Sequence, residues 1–162
     1  MSDDTAASLS LVDPRLRRLL AYWLDRRGKR AMPARGDIDP LDFAYLLGSI
    51  MLVDVLPQPG GDFRFRYRVY GVDAVAHSGM DLTGRYTEDF PGAEFAAKLK
   101  QSYTNLVQGG VPRRVQRREY NDGRYYELEG LLLPLGDAAG INMILVGMAF
   151  GPWMMGIAPP QA

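Results

Sequence analysis

Residues 112–150, PRRVQRREYNDGRYYELEGLLLPLGDAAGINMILVGMAF, decide the fold of this chain. Two β-rich segments, 112–120 and 124–135, flank the tripeptide Asn-Asp-Gly at 121–123. These three residue types favour a tight hairpin turn because they tolerate a positive φ. A Gly-bounded turn at 136–140 leads into a third β-rich segment, 141–150. The stretch predicts a three-stranded antiparallel meander with one face in water and one face that the rest of the chain must cover.

A second hairpin is predicted upstream of this meander. Residues 50–56 are almost continuously apolar, and the Pro-Gln-Pro-Gly-Gly sequence at 57–61 interrupts them. The next strand alternates strictly between two sets of side chains, which predicts one buried face and one solvated face. The buried set is Phe63, Phe65, Tyr67 and Val69, and the solvated set is Arg64, Arg66, Arg68 and Tyr70.

Helices are expected before and between the two groups of strands. Asp13-Pro14 is a helix start, in which Asp caps free N–H groups and Pro occupies the first turn, and Gly28 is a natural end. The apolar stripe of this helix is Leu16, Leu19, Leu20 and Trp23. Further helical segments are expected from Asp39-Pro40 to Gly48, at 72–78, and after Pro91-Gly92 up to Gly109.

The order of elements predicts an α+β domain: a five-stranded antiparallel sheet with helices over one face and an N-terminal flanking helix at 13–28. We expect a flexible N-terminus at 1–12, a single domain at 13–150 and an irregular tail at 151–162.

Composition excludes several classes of protein. Nineteen basic residues balance nineteen acidic ones, so net charge suggests no nucleic-acid or membrane partner. The absence of cysteine excludes disulfides, thiolate metal sites and cysteine nucleophiles. The N-terminal sequence does not resemble a signal peptide, and no apolar run reaches the roughly 18 residues of a membrane span. A cytoplasmic location is therefore expected.

Four segments make the chain resemble a PAS domain, and in particular the short stand-alone bacterial PAS proteins formerly classed as a domain of unknown function. They are PARGDIDP at 33–40, FRFRYRVYG at 63–71, DLTG at 81–84 and LLLPL at 131–135. The resemblance runs from about Asp13 to Phe150. It implies a sensory or regulatory protein of bacterial signal transduction, without enzymatic activity, that binds a small molecule or a partner protein.

The resemblance also directs attention to two groups of residues. A PAS pocket would lie between the sheet and the helices, where Tyr67, His77, Tyr103 and Tyr126 are the candidate ligand-binding residues. An N-terminal helix of a PAS protein often packs against a second copy. The stripe Leu16, Leu19, Leu20 and Trp23 is therefore a candidate homodimer interface. The alternative is that the stripe only covers its own sheet.

The cofactor is not identified by the sequence. His77 is the only histidine, and a lone histidine is a poor metal site, so a structural or solvent-facing role is favoured over ligation of haem or a metal. A flavin–cysteine adduct is excluded because there is no cysteine, whereas non-covalent binding of a flavin or another small molecule stays open.

The charged strands allow two interpretations. Arg114, Arg117 and Arg118 precede Glu127 and Glu129 across the predicted hairpin. Cross-strand ion pairs are the simpler interpretation. If these side chains point into the domain instead, they would bind a polar ligand.

Two other functions are kept as alternatives. One is a ligand-free interaction or dimerisation module whose interior is filled by side chains. Its signalling partner would contact the basic face of the first helix, which carries Arg15, Arg17, Arg18, Arg26 and Arg27. The other is a small cavity enzyme of the isomerase or dehydratase type, which requires a converging acid–base pair. His77 and Asp81 together in a deep cavity would favour this alternative. The candidates Asp37, Asp39 and Asp81 are better explained as caps and turns, so no catalytic residue and no metal ligand is assigned.

Overall fold

The computed structural model describes residues 9–121 and 123–156. Within these residues, three α-helices, α1 to α3, and six strands, β1 to β6, are connected by short 3₁₀ helices, of which the longest is Pro40–Ser49. The helices are Pro14–Arg27, Val72–Ser78 and Ala93–Gly109, and the strands are Ile50–Pro57, Phe63–Tyr70, Arg113–Asn121, Arg124–Asp137, Gly140–Phe150 and Met154–Met155. The helix starts, the hairpin and the meander predicted from the sequence are confirmed. Asp122, in the predicted turn, lies outside the described residues.

All strands pair antiparallel in the order β2-β1-β5-β4-β3, and β6 extends the β5 side of β4. The two hairpins therefore meet through β1 and β5, which are distant in sequence. This arrangement confirms the predicted α+β fold with its five-stranded sheet. No helix in the described part of the chain is long and apolar enough to cross a membrane.

Both faces of the sheet are covered, whereas the meander was expected to have one face in water. One face, here the α1 face, packs against α1 and the 3₁₀ helix Pro40–Ser49. The opposite face, here the cavity face, packs against α2 and α3. Strand β4 contributes to both, with Leu131 and Leu133 on the α1 face and Leu128 and Leu132 on the cavity face. A continuous apolar run such as 131–133 is typical of a strand that is buried on both sides.

Helix α1 uses its apolar stripe to cover its own sheet. Leu16, Leu19, Leu20 and Trp23 are each 0% exposed in the single chain, and Trp23 Nε1 donates a hydrogen bond to the carbonyl oxygen of Pro134 at 2.9 Å. The four residues proposed as a homodimer interface are thus not available to a second copy in this arrangement. The alternative that the stripe covers its own sheet describes what the structure shows.

A buried carboxylate holds the start of α1 against the sheet. Glu129 accepts hydrogen bonds from the backbone N–H groups of Val12 and Asp13, and from Arg114 Nε at 2.7 Å. Leu11 is 3% exposed, so the packed body includes part of the segment expected to be flexible. Residues 1–8 of that segment lie outside the described residues.

A β-bulge changes which residues of β2 face the interior. Leu52 pairs with Val69 but Val53 pairs with Tyr67, so Arg68 is an extra residue in β2. A single extra residue reverses the two faces for everything that follows it. The predicted alternation is therefore correct through Arg68 and wrong for Val69, which is exposed, and Tyr70, which turns to the cavity face.

The C-terminal tail, expected to be irregular, contains a short ordered segment. Strand β6 pairs with the first residues of β4, and the Gly156 N–H bonds to the carbonyl oxygen of Gly123. Trp153, just before β6, lies against His77 and Tyr126. Residues 157–162 lie outside the described residues.

Candidate functional site

A cavity of about 360 Å³ opens between the cavity face of the sheet and helices α2 and α3. Its floor comes from the central strands, including Leu128, Leu132, Val146 and Met148. Its walls are largely aromatic, and the aromatic lining residues are Tyr67, Tyr70, His77, Phe90, Phe95, Tyr103, Tyr120, Tyr126 and Phe150. A concave, mostly apolar site with a few polar groups is typical of small-molecule binding.

All four residues that the sequence nominated as ligand-binding line this cavity. The structure therefore brings together Tyr67 on β2, His77 on α2, Tyr103 on α3 and Tyr126 on β4. Their sequence separations gave no reason for this convergence. It follows from the sheet order, which places β4 and β5 beneath both helices.

Two of these tyrosines share a hydrogen bond in the interior. The hydroxyl oxygens of Tyr67 and Tyr103 are 2.9 Å apart, and both side chains are buried. Burial raises the pKa of Tyr67, and it raises the pKa of Tyr103 to about 12. Burial likewise raises the pKa of Tyr126 to about 12. These phenols therefore keep their protons at neutral pH and can donate hydrogen bonds.

His77 belongs to an aromatic stack at one end of the cavity. Its ring is 4.2 Å from the ring of Phe150, at an interplanar angle of 11°, and is parallel to the ring of Trp153 at 5.8 Å. Its Nδ1 lies 2.8 Å from the carbonyl oxygen of Asp73. Because a carbonyl oxygen only accepts, Nδ1 carries a proton. Among the described residues, no group of three or more histidine or acidic side chains is arranged to hold a metal ion.

Of the three arginines that the sequence analysis named on this strand, Arg117 alone lines the cavity, as the second interpretation of the charged strands predicted for all three. On β3, Arg114 and Arg118 point to the α1 face and pair with Glu129 and Glu127, as the cross-strand interpretation predicted. Arg117 has the opposite parity and points to the cavity. The period-2 alternation of a strand could have separated it from its two neighbours.

The guanidinium of Arg117 is incompletely satisfied by the protein. Its Nε is buried and has no hydrogen-bond partner among the residues that the structure describes. Glu119 Oε1 lies 3.2 Å from this nitrogen, which is close enough for an ion pair. The N–H does not point at that oxygen, so the contact is an electrostatic one and not a hydrogen bond. Phe95 stacks nearby, with its ring centroid 5.2 Å from Arg117 Cζ.

Tyr70 is a second lining residue that the sequence placed on the wrong face. Its hydroxyl donates to Ser78 Oγ at 3.3 Å, and burial raises its pKa. Its ring stands edge-on to the ring of Tyr67 at 5.1 Å. The β2 bulge, which no local sequence pattern marked, is what turns it inward.

The aspartates considered for acid–base chemistry do not enter the cavity. Asp37 accepts from the backbone N–H of Ala34 and pairs with Arg30, whereas Asp39 caps the 3₁₀ helix that begins at Pro40. Asp81 accepts from the N–H and hydroxyl of Thr83 and is exposed. His77 and Asp81 are thus not brought together as a pair in a cavity.

The comparisons with known proteins address the family. A model of the PAS domain family matches residues 12–150. Among solved structures, the chain is similar to the PAS domain of Bordetella pertussis BvgS, with 20% identity over 76% of this chain and 90% of that one, at a TM-score of 0.47. It is similar to a domain of an HTR-like protein from Haloarcula marismortui, with 14% identity over 62% of this chain and 96% of that one, at a TM-score of 0.36.

A third solved structure, described as an RNA-binding light-oxygen-voltage receptor, is 14% identical, with 91% of this chain and 47% of that chain covered at a TM-score of 0.45. No curated protein gives a significant match. The family match spans nearly the whole described fold, and PAS domains are in general sensory and regulatory signalling modules. The chain belongs to the PAS domain family.

Proposed function

We propose that this PAS domain is a non-enzymatic sensor that binds a small molecule in the cavity between its sheet and helices α2 and α3. The observation that carries the proposal is the aromatic cavity of about 360 Å³. This volume corresponds to about a dozen water molecules in the liquid, so it suits a ligand of roughly 12–20 non-hydrogen atoms. In this conformation the space matches one or two fused rings better than a haem or a flavin nucleotide.

The two-sided sheet supports a route by which ligand binding would change α1. Leu132 and Val146 line the cavity, while their neighbours Leu131 and Gly147 lie beneath α1. Successive side chains of a strand point to opposite faces, so a shift of the strand displaces the side chains on both faces of the sheet. Because α1 is closely packed against the sheet, a movement of the strand would displace α1 as well. A ligand would then shift the population between two packings of α1 on the sheet.

The basic face of α1 is less suited to partner binding than its composition suggested. Arg15 pairs with Asp13, Arg17 donates to the carbonyl oxygen of Leu11, and Arg18 stacks on Tyr45. Each of these side chains already has a contact within the chain. A signalling partner, a homodimer and the cytoplasmic location stay predictions.

The two alternative functions are less well supported. A module with an interior filled by side chains does not fit a cavity of this size. A cavity enzyme needs an acid and a base that converge on a substrate, and the aspartates considered for that role serve as caps and turns outside the cavity.

Native mass spectrometry and the ultraviolet–visible spectrum of freshly purified protein test the proposal. We expect additional mass from a bound molecule in the wild type. The substitution Ser102→Trp places a large ring in the cavity wall on α3, whereas Gln101→Trp adds the same ring to the exposed face of that helix. The first variant should lose the bound molecule and the second should retain it.

Retention of the bound molecule by a folded Ser102→Trp protein, as judged by circular dichroism, would place the ligand elsewhere and contradict the proposal. So would wild-type protein that carries no ligand and acquires none from a cell extract. The same spectra report the mass of the assembly, so a dimer would be recognised in the same experiment.

A further inference from the structure

We infer that the ligand of this cavity is an aromatic monocarboxylate whose anionic group is received by Arg117. The inference rests on the proposed function, since it names the chemical class of ligand for the same cavity. It is drawn from the one cation in the cavity wall whose hydrogen-bonding capacity is left open by the described residues.

The state of Arg117 differs from that of the arginines beside it. Arg114 and Arg118 donate to Glu129 and Glu127 on the α1 face. Arg117 makes no hydrogen bond to a described residue, and its Nε is buried. A buried N–H of a charged group without an acceptor is costly, and such groups in native proteins call for an explanation. A ligand oxygen at this position would supply the missing acceptor.

The geometry of a guanidinium favours a carboxylate as that acceptor. Its donors form a planar fork that matches two carboxylate oxygens, and such pairs are shorter and stronger than neutral hydrogen bonds. Arg117 is about one-third exposed, with 30% of its side-chain surface accessible, so it lies at the edge of the cavity and not at its floor. The carboxylate is therefore placed at the edge and the body of the ligand points inward.

The interior of the cavity indicates an aromatic body. The rings of Phe90 and Phe95 lie 4.7 Å apart on one side, and His77 and Phe150 stack at the far end. Aromatic rings pack well against one another in offset or edge-to-face arrangements. The hydroxyls of Tyr67 and Tyr103 are bonded to each other, so only one of their two O–H groups is left to donate to a ligand.

The other charged groups on the cavity limit the ligand to one negative charge. Glu119 lines the same wall and lies beside Arg117. Its carboxylate opposes a second anionic group, while His77 at the other end has its Nδ1 engaged by the carbonyl of Asp73. Removal of the Glu119 charge should therefore strengthen the binding of a monocarboxylate.

Four acids with their neutral amides form a suitable probe panel: benzoate, phenylacetate, indole-3-acetate and 2-naphthoate. Each amide matches its acid in shape and lacks the charge. Affinities would be measured by isothermal titration calorimetry, with ligand-observed NMR for weak binders, on the protein of residues 1–162. We expect at least one acid to bind the wild type about 10- to 100-fold more tightly than its amide, which is the usual effect of hydrogen bonds to a charged group.

Variants then assign the effect to Arg117. Arg117→Gln should remove the preference for the acid, and Glu119→Gln should increase the affinity for it. Arg113→Gln is the matched control, because it removes an equal charge from an exposed position on the same strand, outside the cavity. It should leave the preference unchanged.

The outcomes separate this inference from the proposed function. Equal affinities for acids and amides, or no binding by any of the four acids, would overturn the inference. The proposed function would still stand if native mass spectrometry found another molecule that Ser102→Trp displaces. A preference for the acid that survives in Arg117→Gln would also overturn the inference, since the anion would then be bound by another group.

Discussion

Replacement of Glu129 by Gln should loosen the attachment of α1 to the sheet. The carboxylate accepts from the backbone N–H groups of Val12 and Asp13 and from Arg114 Nε, at distances between 2.7 and 3.1 Å. Glutamine keeps one acceptor for the backbone but presents an amide N–H₂ to the guanidinium. The change removes one charge-assisted pair that is largely buried, with the Glu129 side chain only 9% exposed.

The expected loss in the free energy of unfolding is about 1.5–3 kcal/mol, the usual value of hydrogen bonds to a charged group. The upper limit for breaking a fully buried pair does not apply, because Arg114 is 22% exposed and water can reach it. For a domain of this size, such a loss lowers the melting temperature by about 3–12 °C. Urea denaturation followed by circular dichroism measures the free energy directly.

Glu127→Gln is the matched control for this experiment. Glu127 lies two residues away on β4 and pairs with Arg118, but both side chains are close to half exposed, at 47% and 49%. Exposed ion pairs are worth about 0–1 kcal/mol. If the two variants lose the same stability, Glu129 does not hold α1 to the sheet in the way described.

The same variant has a defined pH dependence. Burial raises the pKa of Glu129, but the hydrogen bonds from Asp13, Val12 and Arg114 outweigh it and hold the pKa below its ordinary value of 4.5. A lowered pKa contributes stability that is present above the unfolded pKa and is lost as the pH falls through the folded one. The stability difference between wild type and Glu129→Gln should therefore be constant from neutral pH to about 5 and should narrow below about 4.5. A difference that grows in acid would refute the assigned role.

Three further predictions concern packing and the tyrosines. Gly147→Ala should lower the free energy of unfolding by about 1–3 kcal/mol through overpacking, because the new Cβ would lie 2.5 Å from Leu19 Cδ2 under α1. Gly109→Ala is the control: its new Cβ would have no described atom within 4 Å, so denaturant titration should show equal or higher stability. Tyr67→Phe should lower the free energy of unfolding by about 1–3 kcal/mol, because it leaves the buried Tyr103 hydroxyl without its partner. The double variant Tyr67→Phe/Tyr103→Phe should lose less stability than the two single variants lose together. Additive losses would contradict the hydrogen bond between the two hydroxyls. Ultraviolet titration of phenolate should show that Tyr103 and Tyr126 ionise near pH 12. Because the pKa values of these two tyrosines are raised in the folded state, their contribution to stability is present below about pH 10 and is lost as the pH rises towards 12. Ionisation of all nine tyrosines near pH 10 would contradict this prediction.

Local patterns in the sequence were sufficient for most of the fold. Asp13-Pro14 and Gly28 mark the ends of α1 because capping and the positive φ of 58° at Gly28 are local requirements. The Gly-bounded turn between β4 and β5 is likewise local, since Gly140 has a φ of 127°. The four candidate ligand residues were found by resemblance to a family, and the cavity brings them together.

The sequence by itself determined the elements, their order and the α+β sheet, because hydrophobic period, caps and turns act over a few residues. Tertiary structure decided which surfaces meet. It placed the α1 stripe on the chain's own sheet, because the face of β4 and β5 opposite the cavity also carries apolar residues that need cover. It also turned Tyr70 inward through a bulge, whose position depends on pairing with β1. Finally, it placed Arg117 in the cavity wall, whereas Arg114 and Arg118 form ion pairs with Glu129 and Glu127 on the other face. Alternate residues of β3 point to opposite faces, and the surroundings of each face are set only when the sheet packs against the helices.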